Sequence, residues 1–192
     1  MKYAGTIALV AIAGGTIAVF IYWFKVVQYV TIAANRVVGK KGPIVPGGTV
    51  MSPFGSRGSI FHQGVDIGAV TGTRILCPID GIVASAYPDG QVSGFGNVVT
   101  ISHGAIGTLY GHMDSISVRV GERVSAGQLI GTVGSTNSES GGMHTSGPHL
   151  HFEVITPATG VDVVHALAHY TGSTPPRIDP VAWAITENVS LS

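Results

Sequence analysis

The chain has 192 residues and a formal net charge of zero, with ten basic residues balanced by ten acidic ones. That length holds one ordinary domain plus an appendage, and the neutral balance offers no basic face for nucleic acid. Charged residues make up only 10% of the chain while glycine occurs 28 times, a composition that suits a turn-rich β domain and argues against a helical bundle.

Tyr3 to Phe24 is an almost unbroken apolar run between Lys2 and Lys25. As a helix it would extend roughly 33 Å, slightly more than the hydrocarbon core of a bilayer. Tyr22 and Trp23 fall where an interfacial aromatic belt lies. The run is too long for an ordinary signal-peptide core, and no small-x-small cleavage pattern follows it. It is read as a retained transmembrane helix, with a helix buried in a protein assembly as the alternative. Ala4, Ala8, Ala11, Gly15 and Ala18 recur at helical spacing and give it a seam of small side chains, which suits self-association through a second helix. Val26 to Val38 could prolong the helix, so residues 1–38 are taken as the helix and its extension. Glycines and prolines between Gly39 and Gly48 then mark a linker over residues 39–50.

From residue 51 to 192 short apolar runs alternate with glycine turns. Strands are expected at Arg74–Pro78, Gly81–Tyr87, Asn97–His103, Thr108–His112, Ser117–Val120, Gln128–Val133 and His149–Ile155, which together indicate a sandwich or barrel. Turn signals fall at Asp80-Gly81, Asp89-Gly90, Gly121-Glu122 and Ala126-Gly127. The stretch from Asn137 to Gly147, rich in serine and glycine, is expected to be a loop beside the last strand. Val161 to Tyr170 reads as helical. Asp179 to Ala184 reads as a short closing helix, with Asp179 as N-cap and Pro180 at its first position. Cys77, the single cysteine, lies in an apolar run and is expected to be buried and inert.

Chemistry concentrates at two places. His149 and His151 stand two apart on an expected strand, so both imidazoles face the same side. Upstream, His62-Gln63-Gly64-Val65-Asp66 offers an imidazole and a carboxylate, with Gly64 permitting a tight backbone path between them. His62, Asp66 and His151 together make the three-ligand set of a catalytic zinc with one position left to water. Zinc acidifies such a water and polarises a carbonyl. His149, and His112 at the end of another strand, could then take a proton from the water or give one to a leaving amine.

These residues lie in an ordered series of motifs. Ser52-Pro53-Phe54-Gly55-Ser56-Arg57 precedes the His62–Asp66 stretch. Asp80-Gly81-Ile82-Val83, Gly94-Phe95-Gly96-Asn97-Val98-Val99, Tyr110-Gly111-His112-Met113, Val120-Gly121-Glu122-Arg123-Val124 and Gly127-Gln128-Leu129-Ile130-Gly131 follow. Gly147-Pro148-His149-Leu150-His151-Phe152-Glu153 closes the series. Over about residues 52 to 156, with a weaker tail to Ala184, the chain resembles the lysostaphin-type (LytM-type) zinc metallopeptidases, peptidase family M23. The resemblance implies a mainly β fold with an antiparallel core, the duplicated hybrid motif of that family. It implies one zinc ion on His62, Asp66 and His151, with His112 and His149 catalytic, and hydrolysis of peptide bonds in peptidoglycan stem peptides or cross-bridges. The loop 137–145 and the segment from Gly160 to Arg177 are longer than the family pattern requires.

Cell-wall chemistry would place the domain outside the membrane. Lys25, Arg36, Lys40 and Lys41 follow the apolar run, and the positive-inside rule would keep the bulk of the chain in the cytoplasm. A virion membrane or tail, where the chain would meet virion proteins, escapes that conflict. Two other functions compete. A non-enzymatic binding module of the same fold would be expected to lack a histidine or aspartate of the set, and none is missing. A swinging-arm carrier needs a lysine at a hairpin tip, and no lysine follows Lys41. Of the remaining histidines, His103 is read as structural and His144 as a loop residue. His165 and His169 are read as a helical i, i+4 pair without the glutamate of HExxH.

Overall fold

The computed structural model describes residues 41–58, 60–88, 94–136, 147–156 and 177–192. The apolar run Tyr3–Phe24 and its extension, the Asp89-Gly90 turn, the loop 137–145 with His144, and the expected helix with His165 and His169 lie outside them. Among the described residues no helix is long and apolar enough to cross a membrane.

Twelve strands and one helix occur among the described residues. The strands are β1 (Thr49–Ser52), β2 (Gly55–Arg57), β3 (Ile60–His62), β4 (Val65–Gly68), β5 (Arg74–Leu76), β6 (Gly81–Tyr87), β7 (Asn97–Ser102), β8 (Gly107–Ile116), β9 (Arg123–Val124), β10 (Leu129–Val133), β11 (His149–Ile155) and β12 (Arg177–Ile178). The helix is α1 (Pro180–Glu187). Pairing is antiparallel throughout, in the order β1-β4-β11-β8-β7-β6-β9, with β10 joining β8 to β5, and β12 beside β11. A separate hairpin pairs β2 with β3. The mainly β antiparallel fold read from the sequence is thus the fold observed.

Strand β11 lies between β4 and β8, and all seven of its residues are buried. Its two faces nevertheless differ, because alternate side chains leave a strand on opposite sides. Leu150, Phe152 and Val154 enter the main core with Val65, Ile67, Tyr110 and Trp183. His149, His151, Glu153 and Ile155 face the other way, where Ile155 joins Phe95, Val98 and Leu109 in a smaller apolar cluster. The main core is closed by α1, whose Trp183 ring lies 6.0 Å from that of Phe152. The helix begins as the sequence indicates, with the Asp179 carboxylate accepting from Val181 N at 2.9 Å and Pro180 in the first turn. It runs past Ala184 to end in a left-handed Asn188.

Two expectations are corrected. Ser117–Val120 is a connection, not a strand. Only Val118 of its two valines is buried; Val120 is 62% exposed, and the chain turns at Gly121, with φ +81°. Second, part of the stretch 39–50 read as a linker is packed structure. Ile44 and Val45 are fully buried, and their amides donate to Ser190 O and Leu191 O at 2.9 and 3.1 Å. Cys77 is buried as expected, and burial pushes its thiol up to about 12.

Candidate metal centre and active site

β3 ends at His62, and the chain turns through Gly64 into β4, which carries Asp66. An added Cβ at Gly64 would lie 2.5 Å from Phe152 O and 2.9 Å from the His151 ring, so this turn approaches β11 as only glycine allows. β4 pairs with β11 in a register that sets Asp66 opposite His151. Directly opposed residues of an antiparallel pair point to the same face, which brings together donors 85 residues apart.

The donors form a nearly equilateral triangle. Asp66 Oδ1 is 3.1 Å from His62 Nε2 and 3.0 Å from His151 Nδ1, and the two nitrogens are 3.1 Å apart. A tetrahedral zinc at about 2.0–2.1 Å from each ligand asks for donors roughly 3.3 Å apart. The spacing and the nitrogen–oxygen–nitrogen chemistry fit that ion, and His62, Asp66 and His151 are the zinc set typical of the family that the sequence motifs resemble.

Each donor is oriented from behind. His62 Nδ1 lies 2.8 Å from both Pro53 O and Arg57 Nη2, and Nε2 is the nitrogen turned toward the triangle. His151 Nε2 donates to Glu153 Oε1 at 3.0 Å, which makes Nδ1 the nitrogen available to a metal. Arg57 Nη2 holds the outer oxygen of Asp66 at 2.6 Å. Burial would raise the Asp66 carboxyl, but its contacts with His151, His62 and Arg57 and the positive charge of His151 in the metal-free pocket hold it well below the usual carboxylate range. Burial would lower His151, yet Asp66 and Glu153 raise it to about 9. This pocket therefore favours positive charge.

The other two imidazoles border the triangle. His149 lies two residues before His151 on β11, and its Nδ1 donates to Gly147 O at 2.8 Å. His112 sits where β8 carries one more residue than β7 between Asn97–Met113 and Val99–Tyr110. Such a bulge re-aims a side chain, and His112 takes φ +60° there. Its amide donates to Phe95 O at 2.7 Å and its Nδ1 to Thr136 O at 3.0 Å. Both rings thus keep a bare Nε2. The rings of His112 and His149 are 4.9 Å apart, and His149 Nε2 is 3.9 Å from Asp66 Oδ1. Burial first, then the charges of His151 and His149, push His112 down to about 4.

The structure brings together all five residues singled out from the sequence. His103 stands apart, its Nδ1 donating to Asp80 O at 2.9 Å and its Nε2 2.8 Å from Thr108 Oγ1. Sequence reasoning quoted Arg57 and Glu153 within motifs without giving them work, and it overlooked Arg177. Strand alternation could have found Glu153, two residues beyond His151 on the same face. Nothing local marks Arg177.

The family model described as peptidase family M23 matches residues 60–163, just over half of the chain. The chain is 39% identical over 110 residues to the cell division protein DipM of Caulobacter vibrioides, covering 56% of this chain and 17% of that protein. It is 33% identical over 117 residues to the peptidoglycan DD-endopeptidase ShyA of Vibrio cholerae, covering 60% of this chain and 25% of that one. Among solved structures it is similar to the antimicrobial peptidase lysostaphin from Staphylococcus simulans. That match has a TM-score of 0.56 and 25% identity, over 73% of this chain and 50% of that one. The chain spans a quarter or less of the length of these two curated relatives.

Proposed function

We propose, since this chain belongs to peptidase family M23, that it is a zinc-dependent endopeptidase cutting peptide bonds in bacterial peptidoglycan, in the stem peptide or the cross-bridge. The observation that carries this reading is the donor triangle of His62, Asp66 and His151 bordered by two imidazoles with bare Nε2 atoms. Zinc held by His62 Nε2, Asp66 Oδ1 and His151 Nδ1 would supply a polarised carbonyl and an acidified water. The bare Nε2 of His112 or His149 takes the proton of the water, and the imidazolium so formed gives that proton to the leaving amine. The carbonyls of Thr136 and Gly147 fix the tautomer that each transfer needs. A non-enzymatic module would have no use for a complete donor set with two oriented imidazoles beside it.

The domain over residues 51–192 carries this activity, and residues 44 and 45 pack against it. The apolar run Tyr3–Phe24 supports attachment to a membrane, with the domain facing the wall. The cationic residues that follow the run favour a virion membrane or tail as the second setting.

Purified peptidoglycan incubated with the full chain in detergent should release peptide fragments identifiable by mass spectrometry. Release should stop with a zinc chelator and return with added zinc. His149→Ala should slow it by about 10²–10⁴-fold, the range for loss of a general acid or base. No fragments from folded, zinc-loaded protein across several wall chemistries would overturn the reading.

A further inference from the structure

We propose that Glu153 and Arg177 are positioning residues that hold His151 in its metal-binding tautomer, so that the segment closing the chain is part of the metal site. This rests on the zinc-hydrolase reading above. Alternation along β11 places Glu153 on the face of His151, and its Oε1 receives the His151 Nε2–H at 3.0 Å. Its other oxygen receives Arg177 Nε at 2.7 Å. The carboxylate is thereby gripped at both oxygens and cannot rotate away from the ring. With the proton fixed on Nε2, only Nδ1 is left to bind a metal, and Nδ1 is the atom that faces His62 and Asp66.

The geometry costs something to maintain. The Glu153 and Arg177 side chains are 1% and 3% exposed, and a buried ion pair of this kind seldom repays its own desolvation. An apolar pair would close the same space at least as cheaply, so the charge is explained by what it does to His151. Arg177 reaches the site because β12 pairs with β11, setting Arg177 opposite Ile155 and Ile178 opposite Val154. It lies beyond residue 163, where the family match ends, so the motif-bearing stretch does not complete the metal site alone.

The test measures zinc affinity of the full chain by competition with a chromophoric chelator, beside thermal melting of the metal-free protein. Glu153→Gln should weaken zinc by about 10–100-fold, as expected for loss of the partner behind a ligating histidine. The double variant Glu153→Gln/Arg177→Met removes both charges of this pair together, so neither is left facing a neutral side chain. It should melt near the parent while its zinc affinity stays low. If the pair served the fold alone, affinity would return together with stability, and zinc binding within about twofold of the parent in that variant overturns the proposal. Nitrogen-15 NMR of the unaltered, zinc-loaded chain gives a second reading that needs no variant. The His151 proton should sit on Nε2, and a proton on Nδ1 overturns the proposal. An unaltered chain that binds no zinc would remove the hydrolase reading itself, whereas parent-like binding in the variants removes only the positioning role.

Discussion

At His112 a single backbone torsion decides where an imidazole points. A histidine on a regular β8 would point along the strand's own alternation; one extra residue and φ +60° turn it toward His149 instead. The motif Tyr110-Gly111-His112-Met113 names the residue but carries no sign of that turn, because a left-handed histidine is forced by its surroundings and has no local signature. His103 shows the contrary case, an imidazole that stands apart from the donor triangle, against Asp80 O and Thr108 Oγ1. Burial lowers it to about 4 from an ordinary value of 6.5. The unfolded chain therefore takes up a proton near pH 6.5 and the folded chain only near pH 4, so stability is lost as pH falls through that window. Thermal melting of the parent and of His103→Gln should diverge least below pH 4 and above pH 6.5 in slope, and most between them. The parent should lose stability more steeply on acidification, and parallel curves would show that His103 does not bear the proton.

The turn from β3 to β4 is the element on which the metal centre depends. His62 and Asp66 converge only because Gly64 passes close over β11, with no room for a side chain between Phe152 O and the His151 ring. Gly64→Ala should cost about 1–3 kcal/mol of stability as an overpacked contact. Because the added methyl presses on the His151 ring, it should also weaken zinc binding, which titration calorimetry would measure; unchanged affinity would show that the turn can open without disturbing the donors. Elements were legible where pattern and burial agree. β6 and β11 lie where the alternating and apolar runs place them. Ser117–Val120 has the same alternation, and Ser117 N still donates to Ile130 O of β10 at 2.9 Å, but the chain must then turn at Gly121 to reach β9 and no strand continues. Short strands such as β2, β3 and β12 have too few residues to show a period, and they form because a neighbouring strand offers its edge.

Over the whole molecule, Ile44 and Val45 join the two ends of the described domain. Their amides bond to Ser190 and Leu191, Ile44 O receives Leu76 N at 2.8 Å, and Val189 and Leu191 are buried in the same core. Ile44→Ala should destabilise the chain by about 2–5 kcal/mol in denaturant unfolding, the range for a truncated core residue; a loss below about 0.5 kcal/mol would place this segment outside the cooperative unit. The proline and glycine around it read as a linker because composition reports turns and is silent about what the few apolar residues between them touch. Composition and short motifs suffice for the β class, the motif order, the donors His62, Asp66 and His151, and the candidate imidazoles His112 and His149, because chemistry requires those residue types and short motifs display them. Which nitrogen of each ring faces the centre, how His112 is turned, and that Arg177 stands behind Glu153 and His151 emerge only from the folded chain. Those depend on strand register and on contacts between residues far apart in the chain, and no local pattern encodes them.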